Sequence, residues 1–300
     1  MPQPLRHAIL GAGGVGGLVG ACLAHIGAPV TMVVKPASVA NFPEQLRLES
    51  ALGNFTVPIQ RASEVPPTDV LWITVKATQL ESALESLRSP ETVGAIVPLL
   101  NGIDHIALLK AKYGNEKVIP ATIAVESERV APGHIIHRSP FASMSFSSSG
   151  RAFLGTTAES LQQMGFKCRF VDDEPTLMWS KLIFLAAFAL TTTASGKSAG
   201  EVLADPEWRE SGLSCMREAS AVAVAEGAKI DVDALIAGVF KMPGNMRSSM
   251  QKDVEQGKTP ELDAIAGPIL RGARLHGIEV PATAKLVAAV KARIAGIAAD

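Results

Sequence analysis

Apolar residues come in short runs over the first 170 positions and in long helical stretches afterwards. The run His7-Ala-Ile-Leu10 leads into glycines and then an alanine-rich stretch to about Gly27, which predicts strand, turn and helix. Residues 29–34 predict a second strand, and residues 70–75, 93–100 and 118–125 predict three more buried ones. A stretch with Pro43, Gly53, Asn54 and Pro58 reads as a loop carrying short strands. Such strands alternating with helical segments are the pattern of a parallel sheet with crossover helices. Alternation over 133–146 predicts shorter, more antiparallel strands, and 167–171 one more.

Beyond Asp172-Asp-Glu-Pro175 the period changes to helical over 176–191, 206–227, 232–240, 260–277 and 281–297. Asp205 and Thr259 each precede a proline, so each predicts an N-cap with proline in the first helical position. The expected fold is α/β: a parallel-sheet domain over 1–172 and an all-helical domain over 173–300.

Composition narrows the class. Three hundred residues, 47% hydrophobic and 19% charged, suffice for two cored domains. A net charge of −1 gives no electrostatic case for nucleic acid or an anionic membrane. Cys22, Cys168 and Cys215 are odd in number and widely spaced, which argues against a disulfide framework or zinc site and fits a reducing cytoplasm. Arg6 and His7 precede an uncharged stretch that resembles a secretory leader, but its many glycines make a poor apolar helix. The next apolar run, 182–190, is far shorter than the roughly 20 residues that span a membrane. A cytoplasmic protein without targeting segments is expected.

The glycines carry the strongest signal. Gly11, Gly13 and Gly16, in Gly-Ala12-Gly-Gly14-Val15-Gly, satisfy the dinucleotide-binding pattern between a strand and a helix. The first permits a tight turn, the second lets backbone approach a pyrophosphate, and the third brings helix and strand together. The helix N-terminus then faces the phosphates. Where an NAD enzyme commonly carries an acid at the end of the second strand, this chain has Lys35 followed by Pro36-Ala-Ser38. A cation there suits the 2′-phosphate of NADP(H); a solvated surface lysine gives the same letter.

Lys181 is the sole cation in a segment otherwise apolar for about three turns. It either snorkels to water or sits where its charge is used, and beside a nicotinamide it can give a proton to a carbonyl as hydride arrives. Ser248 and Ser249 open another helical segment, as caps or as ligands of a substrate carboxylate or hydroxyl. Glu261 complements a helix dipole or partners Lys181 or a substrate hydroxyl. Asn101 and Lys76 follow strands at the carboxyl edge of the sheet, where turn chemistry and ligand contact are both open. Tyr113 and Lys117 match a short-chain dehydrogenase pair, but Gly114-Asn115 would break the helix that pair needs. His134 and His137 face opposite sides of a strand, and no metal site is expected.

These residues carry a resemblance. The glycine loop, Val75-Lys-Ala77, Leu100-Asn-Gly102, Trp179-x-Lys181-Leu182, Ser248-Ser-Met-x-x-Asp253 and Gly257-x-Thr-x-Glu261-x-Asp263 with Gly267 resemble the ketopantoate reductase family, in order and at family spacing. The resemblance implies an NADPH-dependent, often dimeric, reductase of a 2-oxo acid in pantothenate synthesis. It implies Lys181 as proton donor and Glu261 as its catalytic partner near the cofactor. Ser249, Ser248 and Asn101 would bind substrate, with Asn101 also near the cofactor. Gly11, Ala12, Gly13, Gly14, Val15, Gly16, Lys35 and Lys76 would hold NADP(H).

The chain also departs from that family. Leu185, Ala189 and Ala199 stand where polar residues are usual, and Met246 where an asparagine is common. A site built to pair a hydroxyl discriminates by factors of about 10⁴, so losing these groups changes substrate choice. Ketopantoate leads, a more apolar 2-oxo acid or carbonyl compound is the alternative, and a non-catalytic NADPH sensor is the reading of another class.

Overall fold

A computed structural model describes residues 4–297. The chain forms two compact units. One takes the chain through Leu100 together with His105–Asp172; the other takes Asn101–Asp104 and the chain from Asp173 onward. The segment Asn101–Asp104, left in the first domain by a boundary at residue 172, thus groups with the helical unit.

Among its described residues the first unit holds twelve strands: β1 (His7–Leu10), β2 (Val30–Val33), β3 (Gln45–Glu49), β4 (Phe55–Pro58), β5 (Gln60–Ala62), β6 (Thr68–Ile73), β7 (Val93–Pro98), β8 (Ala121–Ala124), β9 (Ser127–Ala131), β10 (His134–His137), β11 (Ser143–Ser147) and β12 (Lys167–Val171). Its helices are α1 (Gly14–His25), α2 (Pro36–Val39), α3 (Leu80–Leu84), α4 (Asp104–Tyr113, whose first residue groups with the second unit) and α5 (Arg151–Gln163). A parallel sheet runs in the order β5-β2-β1-β6-β7. Leu10 pairs with both Val33 and Ile73, so β1, β2 and β6 end at one edge. All four residues of β1 are buried, which is why the strand reads as unbroken apolar sequence.

The expected strand over 118–125 does not extend this sheet. Val118 makes one parallel bridge to Ile96, after which the chain leaves for a second ladder. The reason lies in two prolines: Pro98 and Pro120 lack the N–H groups that would continue the pairing. Ala121–Ala124 instead pairs antiparallel with β11, which pairs parallel with β12. Likewise β10 lies antiparallel to β9 but parallel to β3, so the segment expected to be antiparallel builds two mixed sheets. Within the core Trp72 is fully buried and donates its indole N–H to His7 Nδ1 at 3.1 Å. Burial holds the His7 imidazole neutral, with its pKa pulled down to about 4.

The second unit is α6 (Glu174–Ser195), α7 (Ala199–Ala204), α8 (Pro206–Ala225), α9 (Val232–Val239), α10 (Ser249–Glu255), α11 (Leu262–His276) and α12 (Pro281–Ile297). Buried Leu182, Ile183, Ala186 and Leu190 pack α6 against α8 and α12. Among the described helices α6 has the length and mean hydropathy (1.5) of a membrane span, and 67% of that stretch is buried inside the unit. Its apolarity is accounted for by the core. Asp205 caps α8 as expected, accepting from the Glu207 and Trp208 amides at 3.1 and 3.4 Å ahead of Pro206. Thr259 does not cap α11. The helix starts later than expected, at Leu262, so Glu261 and not Thr259 occupies the position before its first turn.

Candidate active site

The glycine loop joins β1 to α1 at the carboxyl edge of the parallel sheet. Gly11 has φ 110°, and a Cβ there would lie 2.8 Å from the Val75 backbone nitrogen. At Gly16 a Cβ would collide with the Gly11 carbonyl and the Thr74 hydroxyl, so the third glycine is fixed by helix–strand contact. Gly13 differs: a Cβ there would meet nothing within 4 Å. No internal crowding demands that glycine, which fits the close approach of a phosphate. Neither a side-chain cap nor a first-turn acid occupies the start of α1, so its amides and dipole are available to an anion. Residues 11–15, including Ala12, Gly14 and Val15, are half-exposed. These residues fit a dinucleotide.

Two supports of this loop were not singled out from sequence. Thr74, just past β6, donates its hydroxyl to the Gly11 carbonyl at 2.7 Å, and Ser127 donates to the Gly14 carbonyl at 2.9 Å. A hydroxyl after a buried strand is a weak signal by itself; the fold gives it meaning. Lys35 is exposed at the end of β2 where α2 begins, and Lys76 is half-buried after β6. Both lie at the edge that carries the glycine loop.

The second unit assembles three of the remaining candidates. Glu261 is buried at 7% exposure, and the Asn101 side-chain amide donates to its Oε2 at 3.0 Å. Lys181, half-buried in the second turn of α6, feels the Glu261 carboxylate. Two effects oppose at this lysine. Burial strips water from its ammonium and lowers the pKa to about 8, while Glu261 raises it and keeps the fall from going further. A lysine so tuned is charged at neutral pH yet ready to release its proton, as a general acid must be.

The serines part ways. Ser248 is buried at 2% exposure and caps α10, accepting from the Gln251 amide at 3.1 Å and from the Thr192 hydroxyl at 2.9 Å. Its capping role is thereby filled within the protein. Ser249, the first residue of α10, is exposed. Of the four departures from family pattern, Leu185 is half-buried one turn beyond Lys181 and Met246 is half-buried ahead of α10, whereas Ala189 is fully enclosed in the core. Ala199 lines a small cleft with Phe188, Thr192, Val202, Leu213 and Met216, apart from Lys181 and Glu261. His134 bonds Glu49 and His137 bonds Ser50 and Ser139, and among the described residues no cluster of His, Cys, Asp and Glu has the makings of a metal site.

Comparison with known proteins follows this division. Residues 7–149 match the family model described as ketopantoate reductase PanE/ApbA, and residues 175–294 match its C-terminal counterpart. A 2-dehydropantoate 2-reductase of Caulobacter vibrioides is 30% identical over 299 residues, covering 95% of this chain and 98% of the relative. The crystal structure of a PanE/ApbA family ketopantoate reductase from Ralstonia eutropha superposes with a TM-score of 0.84 at 26% identity, covering 98% of this chain and all of the other. The ternary structure of D-mandelate dehydrogenase with NADH and anilino(oxo)acetate shares the fold, at a TM-score of 0.85 and 22% identity over 98% of this chain and all of that one. The class is therefore that of oxidoreductases with a Rossmann-type unit and a helical unit. Within it, the chain belongs to the ketopantoate reductase family and is an oxidoreductase of the 2-dehydropantoate 2-reductase type.

Proposed function

We propose that this protein is an NADPH-dependent reductase of a 2-oxo acid, ketopantoate foremost, with Lys181 as the proton donor. The observation that carries this reading is a buried carboxylate, Glu261, held by the Asn101 amide at 3.0 Å and acting electrostatically on Lys181. Gly11–Gly16 and the amides of α1 hold the pyrophosphate, Lys35 the 2′-phosphate, and Lys76 and Asn101 the nearer parts of the cofactor. NADPH, when bound, supplies the hydride. The Lys181 ammonium hydrogen-bonds the carbonyl oxygen, stabilises the negative charge that grows there, and passes its proton to it. Glu261 keeps the lysine charged until that moment, and Asn101 holds the carboxylate through its amide. Ser249, exposed at the start of α10, is the serine available to a substrate carboxylate or hydroxyl; Ser248 supports it as the cap.

A second reading keeps the chemistry and changes the substrate. Leu185, half-buried one turn beyond Lys181 where the family usually has a polar residue, favours a 2-oxo acid with a more apolar substituent than ketopantoate. A cofactor sensor without chemistry would have no use for the lysine–carboxylate pair. The protein is further proposed to act as a cytoplasmic homodimer, which sedimentation of the purified chain checks. NADPH oxidation with ketopantoate beside a panel of aliphatic and aryl 2-oxo acids tests the substrate. Turnover of ketopantoate supports the first reading and turnover of an apolar 2-oxo acid alone supports the second. Tight NADPH binding with no turnover of any of them would overturn both.

A further inference from the structure

Residues 101–104 form a short strap seated on the beginning of α11. Asn101 reaches Glu261 at 3.0 Å. Gly102, at φ 84°, approaches the Ala264 carbonyl so closely that a Cβ would overlap that oxygen. Asp104 pairs with Arg271, whose guanidinium also holds Asp263 at 2.9 Å. A carboxylate, a glycine and an asparagine within four residues each have a counterpart on one helix.

Two residues of α11 that break ordinary helix preference make this seat. Pro268 lies inside the helix and has no N–H, so it cannot supply the intrahelical donor for the Ala264 carbonyl, the oxygen that Gly102 meets. Gly267 is the other. Asp263, Gly267 and Arg271 follow one another at four-residue spacing on one face. Arg271 lies back toward the N-terminus, the direction long helical side chains take, and passes over position 267. A Cβ on Gly267 would sit 2.6 Å from Arg271 Nη1 and 2.6 Å from Asp263 Oδ1. Eight residues of helix span about 12 Å, and a methyl at the position between would displace the guanidinium and the Asp263 carboxylate from this path.

We propose that Arg271 is a positioning residue for the Lys181–Glu261 pair: lying across bare Gly267, it pins Asp104, which fixes the strap and with it the Asn101 amide on Glu261. The proposal rests on reading Lys181 as the acid. Arg271, Asp104 and Asp263 are all substantially exposed, and exposed ion pairs contribute little to stability. The clamp therefore acts on geometry, and stability and activity should separate.

The test uses the full-length chain with Gly267→Ala, Arg271→Ala, Arg271→Lys and the double variant Gly267→Ala/Arg271→Ala. Turnover with NADPH and the best 2-oxo acid, Tm, and the titration of Lys181 are followed, the last by NMR of the reductively ¹³C-methylated protein with Lys181→Arg for assignment. Gly267→Ala removes a glycine from a helix interior, so its Tm should hold or rise. Its kcat should nevertheless fall about fivefold, as should that of Arg271→Ala, with KM for NADPH unchanged. The double variant should lose no more than either single one, and Arg271→Lys should recover most of the activity. In both Ala variants Lys181 should titrate at lower pH, because Glu261 is the charge that holds its pKa up. Wild-type turnover and an unmoved Lys181 titration in both variants would overturn the clamp and leave the reductase reading standing. A Lys181 titration that moves in a protein turning over no 2-oxo acid would do the reverse.

Discussion

The two units build their halves of the chemistry by different means. In the first, eleven consecutive residues supply strand, turn and helix start, and the groups offered to a ligand are backbone amides. In the second, Asn101 and Glu261 are 160 positions apart, and Lys181 comes from a third segment. Backbone-built sites depend on where side chains are missing; side-chain sites depend on which helices meet. A glycine loop therefore tolerates change at few positions, whereas the acid site fails residue by residue.

The sharpest way to separate the halves is to remove the amine. Lys181→Ala should lower kcat about 10³-fold, in the range general acids contribute. NADPH affinity, measured by calorimetry, should stay within a factor of three. A loss of less than tenfold would mean the helical unit does not supply the proton.

The first unit has its own signature in acid. His7 is held neutral, with a pKa near 4 against an ordinary 6.5. The unfolded chain takes up a proton below pH 6.5 that the folded one refuses until about 4. Stability should thus fall as pH drops through that window, by up to ~3 kcal/mol, while remaining level above it. Denaturant titrations at pH 7 and pH 4.5 check this, and His7→Gln should flatten the difference.

Within the glycine loop the contrast becomes internal. Gly16→Ala collides with backbone and should cost about 2 kcal/mol of stability, seen as a lower Tm. Gly13→Ala meets no protein atom, so its Tm should hold while NADPH binding weakens by about tenfold or more. Equal melting and equal loss of binding in the two variants would erase the distinction. The smallest expected effect is at the rim: Lys35→Asp should shift preference toward NADH by about tenfold. Unchanged NADPH affinity in that variant would discard the 2′-phosphate contact.

Legibility in the sequence tracked the same divide. The glycine loop, the strands that end beside it and the helices from residue 173 onward followed from spacing, because each is decided within a few neighbouring residues. Ser248 was readable as a cap for that reason, and Asp205 likewise. Lys181 and Glu261 stood out only as a cation and an acid on helices with two uses each; resemblance singled them out, and their shared electrostatics needed the fold. The strap was hidden because Asn101–Asp104 packs on α11, far along the chain. Strand pairing after residue 118 was misread because an apolar run does not announce which ladder it joins, and here Pro98 and Pro120 decide it.

The pH dependence of kcat/KM for the 2-oxo acid, at saturating NADPH, bears most directly on Lys181 as the acid. Activity should fall about tenfold per pH unit above a pKa near 8, and Lys181→Arg should move that limb upward in whatever activity remains. A profile flat from pH 7 to pH 10 would contradict it.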